Sequence, residues 1–288
     1  MNQRTKAELL LVASAFIWGT TFVVVKSALT DAAPLPFLAI RFILAGLLML
    51  ALMARGRLPV RMLPVGLGLG ILLFAGFALQ TSGLLYTTPS KSAFITGFSV
   101  ILVPLISLFH GYRLRAANLG GAALGLAGLY LLVSPAAGAV NRGDVLTLLG
   151  AIAFGFHIVL VGVYTRRYSF LHLAPAQILL VGIIAFMTAP LGGTWRFHWT
   201  PRLAFATVVT ALLATAFAFS IQVWAQQYTP PAHTALIFTL EPVFAALTSR
   251  IVTGEHLGGQ ALMGSILILA GMVISEVWGG APPSPVES

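Results

Sequence analysis

Cysteine is absent from the chain, which excludes disulfides, thiol nucleophiles and cysteine-based metal sites. Acidic residues are almost as scarce, seven Asp and Glu in 288 residues. Charged residues of both signs make up 8% of the chain, against about 25% in soluble domains, whose outer faces must meet water. So little charge cannot clothe a soluble surface, and apolar residues must face lipid as well as one another. Signatures of nucleotide-driven or metal chemistry are missing too. There is no G-x-x-x-x-G-K-[ST] and no H-E-x-x-H, and the six histidines are scattered. Gly66-Leu67-Gly68-Leu69-Gly70 has neither the spacing nor the preceding strand of a dinucleotide fingerprint. It and Gly121 to Gly125 carry GxxxG spacing, which lets helices approach closely. No cofactor is expected. An intramembrane enzyme would need a nucleophile or metal constellation, and a channel a filter or charged ring; neither is found.

What fills the chain is apolar residue, 58% of the total. A membrane span takes about 20 such residues at 1.5 Å rise each, and roughly ten spans with short loops use up the whole length. The apolar runs predict helices over 7–27, 35–54, 64–86, 90–109, 115–134, 144–165, 174–192, 203–227, 232–252 and 257–278. Pro34, Pro36, Pro64, Pro89, Pro175, Pro201 and Pro231 fall at or near the starts, where a missing N–H costs least. The first run resembles a signal peptide, with Arg4 and Lys6 ahead of it and Ala13-x-Ala15 inside it. It continues through Trp18 to Val25, longer than a signal core, and is retained as a span. The Pro-rich tail 279–288 is expected to be disordered.

The formal charge is +9. Its basic residues lie in short loops between apolar runs, which indicates membrane topology rather than nucleic-acid binding. With the N-terminus inside, inner segments hold Arg4, Lys6, Arg55, Arg57, Arg61, Arg113, Arg115, Arg166 and Arg167; outer ones hold Lys26, Lys91, Arg142, Arg196, Arg202 and Arg250. The bias favours both termini in the cytoplasm, in a plasma (inner) membrane.

The two halves repeat each other. Glu8 and Trp18-Gly19 recur as Asp144 and Phe154-Gly155, 136 residues later. Gln80, Tyr86, Thr87, Pro89 and Ala93 recur as Gln222, Tyr228, Thr229, Pro231 and Ala235 at an offset of 142. Gly111-x-x-Leu114, Gly121 and Leu126-Ala127-Gly128 recur as Gly254-x-x-Leu257, Gly264 and Leu269-Ala270-Gly271 at 143. The growing offset places extra residues near Trp195 to Pro201. The expected units are 1–134 and 135–278. Each holds five helices, an odd number, so the second enters the membrane from the opposite side. Inverted repeats are a signature of alternating-access carriers that hold solute near the midplane.

Ala15-x-x-Trp18-Gly19, Arg41-Phe42, Pro104-Leu105, Glu241-Pro242 and Gly254-Glu255-x-Leu257 occur in this order over essentially the whole chain. In them the sequence resembles the EamA-type, ten-helix branch of the drug/metabolite transporter superfamily. It departs at Gly111-Tyr112-Arg113-Leu114, where that family often has Gly-Glu-Arg-Leu. The resemblance implies an exporter of small metabolites, similar to the aromatic amino-acid exporters of bacterial inner membranes. It also implies a cavity walled by helices 1, 3, 4, 6, 8 and 9, with helices 5 and 10 outside.

The candidate substrate contacts are Trp18, Thr21, Gln80, Tyr86, Lys91, Phe94, Phe98, Phe154, His157, Gln222, Trp224, Phe238 and Glu241. The repeat sets Trp18 and Thr21 against Phe154 and His157, near midspan. Gln80 and Gln222 form a second symmetric pair, whose amides need partners when buried; helix-to-helix bonding satisfies them equally well. Tyr86, Trp224 and Tyr228 also suit interface anchors, as do Trp195, Trp199 and Trp278. Glu241 lies mid-helix, where a charge needs a partner or water, and the plainer reading makes it a pin for the Pro242 kink. For Arg41 the plainer reading is snorkelling or helix pairing. An aromatic lining with amides, hydroxyls and one histidine suits a small amphipathic solute, such as an apolar amino acid. Gln80, His157 or Lys91 would meet its carboxylate, and Trp18 or carbonyls near Pro242 its ammonium. Drugs are the alternative cargo. The partners expected are such a solute and the bilayer; no residue pattern demands an oligomer.

Overall fold

A computed structural model describes residues 2–53, 60–110, 116–133, 140–192, 195–254 and 258–279. The tail beyond 279, the Gly111 to Leu114 motif and most of the Glu255 motif lie outside them. The described chain is all-α. Helices α1 (Gln3–Ala28), α2 (Pro34–Met53) and α3 (Leu63–Gly83) are followed by α4 (Pro89–Thr96) and α5 (Ser99–Leu108), two halves of one broken span, and by α6 (Ala116–Val133). The second half repeats the plan with α7 (Arg142–Tyr164) and α8 (Phe170–Thr188). Its third span runs through α9 (Pro201–Val209), a π-helical stretch (Thr210–Phe217) and α10 (Ala218–Ala225). The broken span α11 (Pro231–Phe238) and α12 (Leu240–Thr253) and the last helix α13 (Gly259–Gly279) follow. Eight of these segments are long and apolar enough to cross a bilayer; α6 and α13, packed on each other, complete the expected order of ten.

Starts obey local chemistry. Asn2, Thr88, Ser169 and Thr200 cap α1, α4, α8 and α9 through side-chain oxygens. Asn141 and Asp144 form a reciprocal capping box on α7. Pro89, Pro201 and Pro231 open their helices as expected. Pro175 does not: α8 already begins at Phe170, leaving Pro175 inside it. The Ser169 cap outweighs the proline, because a proline near the first turn forfeits few ladder bonds.

Packing between the halves obeys a two-fold rule. Helix α2 packs on α8 and α6 on α13, each on its own repeat mate. The contact of α3 with α7 is mirrored by that of α1 with α10, and α1 on α12 by α7 on α5. The close approaches repeat as well. A Cβ on Gly46 would lie 2.8 Å from Leu179 Cα, and one on Gly182 2.6 Å from Ile43 N. Those two contacts map onto each other under the offset of 136. In the bilayer no water drives helices together, so backbone approach at small residues does.

A further clasp joins the two halves. Asp31, between α1 and α2, takes Arg202 at 2.8 Å and the Thr200 hydroxyl at 2.6 Å. Arg196 N–H groups reach the carbonyls of Thr30 and Leu29, and Ala32 bridges Phe197. Arg202 and Thr200 hold the Asp31 carboxyl down to about 2, so the clasp stays charged across the neutral range. The residues near Trp195 to Pro201 that lengthen the second repeat are the ones that build it.

Candidate functional site

The broken spans lie at equivalent places. Helix α4 gives way to α5 at Gly97-Phe98, and α11 to α12 at Thr239, Gly97 and Thr239 being related by the offset of 142. Both breaks open onto one cavity between the halves. Its walls come in repeat-related pairs: Trp18 and Phe154, Thr21 and His157, Phe77 and Phe219, Gln80 and Gln222, Thr96 and Phe238. The cavity therefore straddles the two-fold relation. It is walled by the first, third, fourth, sixth, eighth and ninth spans, and also by the second, through Arg41.

The π-helical stretch fixes one side. Trp18 Nε1 donates to Ala214 O at 2.7 Å, and Arg41 Nε donates to Thr215 Oγ1 at 2.8 Å. Thr215 in turn donates to Thr210 O, five residues back. A wider turn leaves carbonyls free for side-chain donors, as π segments at functional sites commonly do. The Trp18 ring packs against Phe219 at 5.0 Å and Phe238 at 4.9 Å, and Phe77 against Phe154 at 5.2 Å. The result is a continuous aromatic lining.

Polar groups are set into it. Gln80 Nε2 donates to Thr96 Oγ1 at 2.8 Å. His157, buried, is 2.6 Å from Gln177 Oε1 through Nε2. Gln222 Nε2 donates to Gln226 Oε1 at 3.2 Å, while its Oε1 is buried without a partner among the described residues. The Arg41 guanidinium lies 5.1 Å from the Phe42 and Phe77 rings. No ion pair within the described residues reaches Arg41 or Glu241. No group of three or more His, Asp or Glu there could hold a metal ion.

Of the thirteen candidates, eight line this cavity: Trp18, Thr21, Gln80, Phe154, His157, Gln222, Phe238 and Glu241. Five do not. Lys91 is 2.7 Å from Asp144 at one end of the molecule, so it is no donor to a solute in the cavity. Phe94 packs with Leu236 and Ile268, because Thr96, Gly97 and Ser99 take the cavity side of that span. Phe98 sits half-buried at the break, outside the lining. Tyr86 lies under the Arg142 guanidinium at 3.5 Å. Trp224 lies against Tyr228 with the rings tilted and faces Lys6 at 5.6 Å. Arg41 pairs helices through Thr215 as expected, but it is 3% exposed and does not snorkel. The Glu241 side chain makes no hydrogen bond to backbone among the described residues; the residue is half-buried and lines the cavity. Phe77 and Phe219 escaped notice in the sequence, although they stand one turn before Gln80 and Gln222 in the same register.

The EamA-like transporter family model matches the chain twice, over residues 5–134 and 141–276. The chain belongs to this family, and is thus a multi-pass membrane transporter rather than a soluble protein. A protein of Archaeoglobus fulgidus named an uncharacterized transporter is 34% identical over 94% of this chain and 86% of its own length. The Escherichia coli inner membrane transporter YedA is 28% identical, over 93% of this chain and 88% of its own. A protein of Escherichia coli named a probable amino-acid metabolite efflux pump is 25% identical, over 90% and 91%. One solved crystal structure superimposes with a TM-score of 0.76 at 19% identity, covering 96% of this chain and 98% of that one; it shares the fold.

Proposed function

We propose that the chain is a secondary carrier that exports small amphipathic metabolites, such as aromatic or other apolar amino acids, across the inner membrane. It works by alternating access of two five-helix units, 1–134 and 135–278, with both termini in the cytoplasm. The observation that carries this reading is the aromatic cavity on the two-fold relation between the halves, lined by Trp18, Phe77, Phe154, Phe219 and Phe238. A site midway between inverted units can be opened to one side by rocking one unit on the other. The relatives named for amino-acid metabolite efflux agree with the cargo.

Counterflow of labelled L-phenylalanine in proteoliposomes tests the reading. Saturable counterflow is expected. Linear flux with no counterflow would mean a pore, and preference for bulky apolar drugs a multidrug carrier. A compartment-sensitive reporter fused at the C-terminus should report cytoplasm; a periplasmic signal would remove the orientation.

A further inference from the structure

The cavity walls are symmetric in shape and asymmetric in charge. Aromatic faces and amides repeat across the two-fold relation, but the basic residue Arg41 and the acidic residue Glu241 do not. Arg41, in α2, has Gln177 as its repeat mate; Glu241, in α12, has Ser99. One half thus supplies a basic residue and the other an acidic one, each with an uncharged residue at the related position of the other half. Both line the one cavity, and they are not an ion pair with each other or with any described residue.

Charged groups at membrane depth are costly unless paired or solvated. Arg41 spends one N–H on Thr215 and rests its face against Phe42 and Phe77, which leaves its terminal N–H groups for an anion. A guanidinium fork matches a carboxylate in two parallel bonds. The acidic residue of the lining is Glu241, and the partnerless Gln222 Oε1 adds a buried amide oxygen. Such acceptors suit an ammonium, which has three N–H donors and no acceptor.

We propose that the cavity selects a zwitterion: Arg41 binds the carboxylate and Glu241, with Gln222, the ammonium of one α-amino acid, whose apolar side chain lies among the aromatic rings. This rests on the carrier reading above and names its substrate class. The charges of the solute complete those of the site, so an occupied cavity is neutral as it crosses the membrane. A solute bearing only one of the two charges leaves a buried group unmatched.

The test compares L-phenylalanine with 3-phenylpropionate, which lacks the ammonium, and 2-phenylethylamine, which lacks the carboxylate, as inhibitors of labelled L-phenylalanine counterflow in proteoliposomes. Each analogue is expected to compete about tenfold to hundredfold more weakly than L-phenylalanine, since each forfeits a charge-assisted contact. Arg41→Gln should weaken L-phenylalanine and 3-phenylpropionate while leaving 2-phenylethylamine unchanged. Glu241→Gln should do the converse. Arg41→Lys should recover part of the loss and Glu241→Asp likewise, which a merely structural role does not predict. Either analogue competing as well as L-phenylalanine in the parent protein would overturn the proposal while leaving a carrier in place. So would variants that keep the parent's order of preference. If the parent carries none of the three solutes saturably, the carrier reading for aromatic solutes fails first, and the zwitterion site with it. Should a variant not fold, the inhibition series on the parent protein decides alone.

Discussion

Trp18 is held at both edges: its indole N–H by Ala214 O at 2.7 Å, its ring between Phe219 and Phe238. Trp18→Phe keeps a ring face and loses the hydrogen bond. We expect a change of several-fold in apparent affinity and a stability loss of about 1 kcal/mol. Trp18→Ala also empties part of the lining and should cost about 3–5 kcal/mol. Thermal unfolding in detergent and saturable uptake at matched protein density measure the two effects; equal uptake by parent and alanine variant would make Trp18 a packing element only. The neighbouring glycine gives a sharper steric test. A Cβ on Gly19 would lie 2.5 Å from the Glu241 carbonyl, on backbone that cannot rotate away, whereas one on Gly120 meets nothing within 4 Å. Gly19→Ala should therefore destabilise by about 1–3 kcal/mol, and Gly120→Ala should be neutral or slightly stabilising. Equal melting temperatures would mean that α1 is not pressed against the α11–α12 break.

At the scale of elements, one carboxylate contact ties the start of each half's first helix to the start of the broken span of the other half. Asp144 at the start of α7 takes Lys91 at the start of α4, 2.7 Å apart. Its repeat mate Glu8, in α1, takes His233 in α11 at 3.1 Å, and Lys91 and His233 are themselves related by the offset of 142. The pairs differ in burial. Asp144 is 3% exposed and also accepts from Thr87 and Asn141, while Glu8 is 29% exposed and shared with Arg4. Breaking a buried pair strands a charge; breaking a wet one does not. Asp144→Asn should cost about 3–5 kcal/mol and Glu8→Gln less than about 1 kcal/mol, read as melting shifts under identical detergent and salt. Equal shifts would mean that burial does not govern the two ends.

For the whole molecule, the proposed rocking of one unit on the other would require the Lys91–Asp144 end to part during the cycle. Ser92 and Thr147, next to that pair, bring their hydroxyl oxygens within 3.4 Å. The chain has no cysteine of its own, so a Ser92→Cys, Thr147→Cys double variant introduces a single possible cross-link. Oxidation should stop counterflow and a reductant restore it. Undiminished counterflow through the oxidised protein would show that this end stays shut while solute passes.

The residues by themselves determined that the chain is an all-α polytopic membrane protein with two homologous halves. Scarcity of charge, apolar runs of span length, and the register linking Gln80 to Gln222 are properties of composition and order alone. The register also put Trp18 with Phe154 and Thr21 with His157, since related positions in related helices face the same axis. It did not say which turns of each helix face the cavity. A helix in lipid is apolar all round, so the periodicity that reveals the buried face of a soluble helix carries little information here. Hence composition and spacing do not separate Phe94 and Lys91 from the cavity side of their span, do not distinguish lining from anchor at Tyr86 and Trp224, and do not single out Phe77 and Phe219. Only tertiary packing decided that Lys91 is spent on Asp144, that the spans break at Gly97 and Thr239, and that a π turn beside α2 turns Arg41 inward. These outcomes depend on which backbone groups find partners across helices far apart in the chain, and in a medium without water every such group must find one.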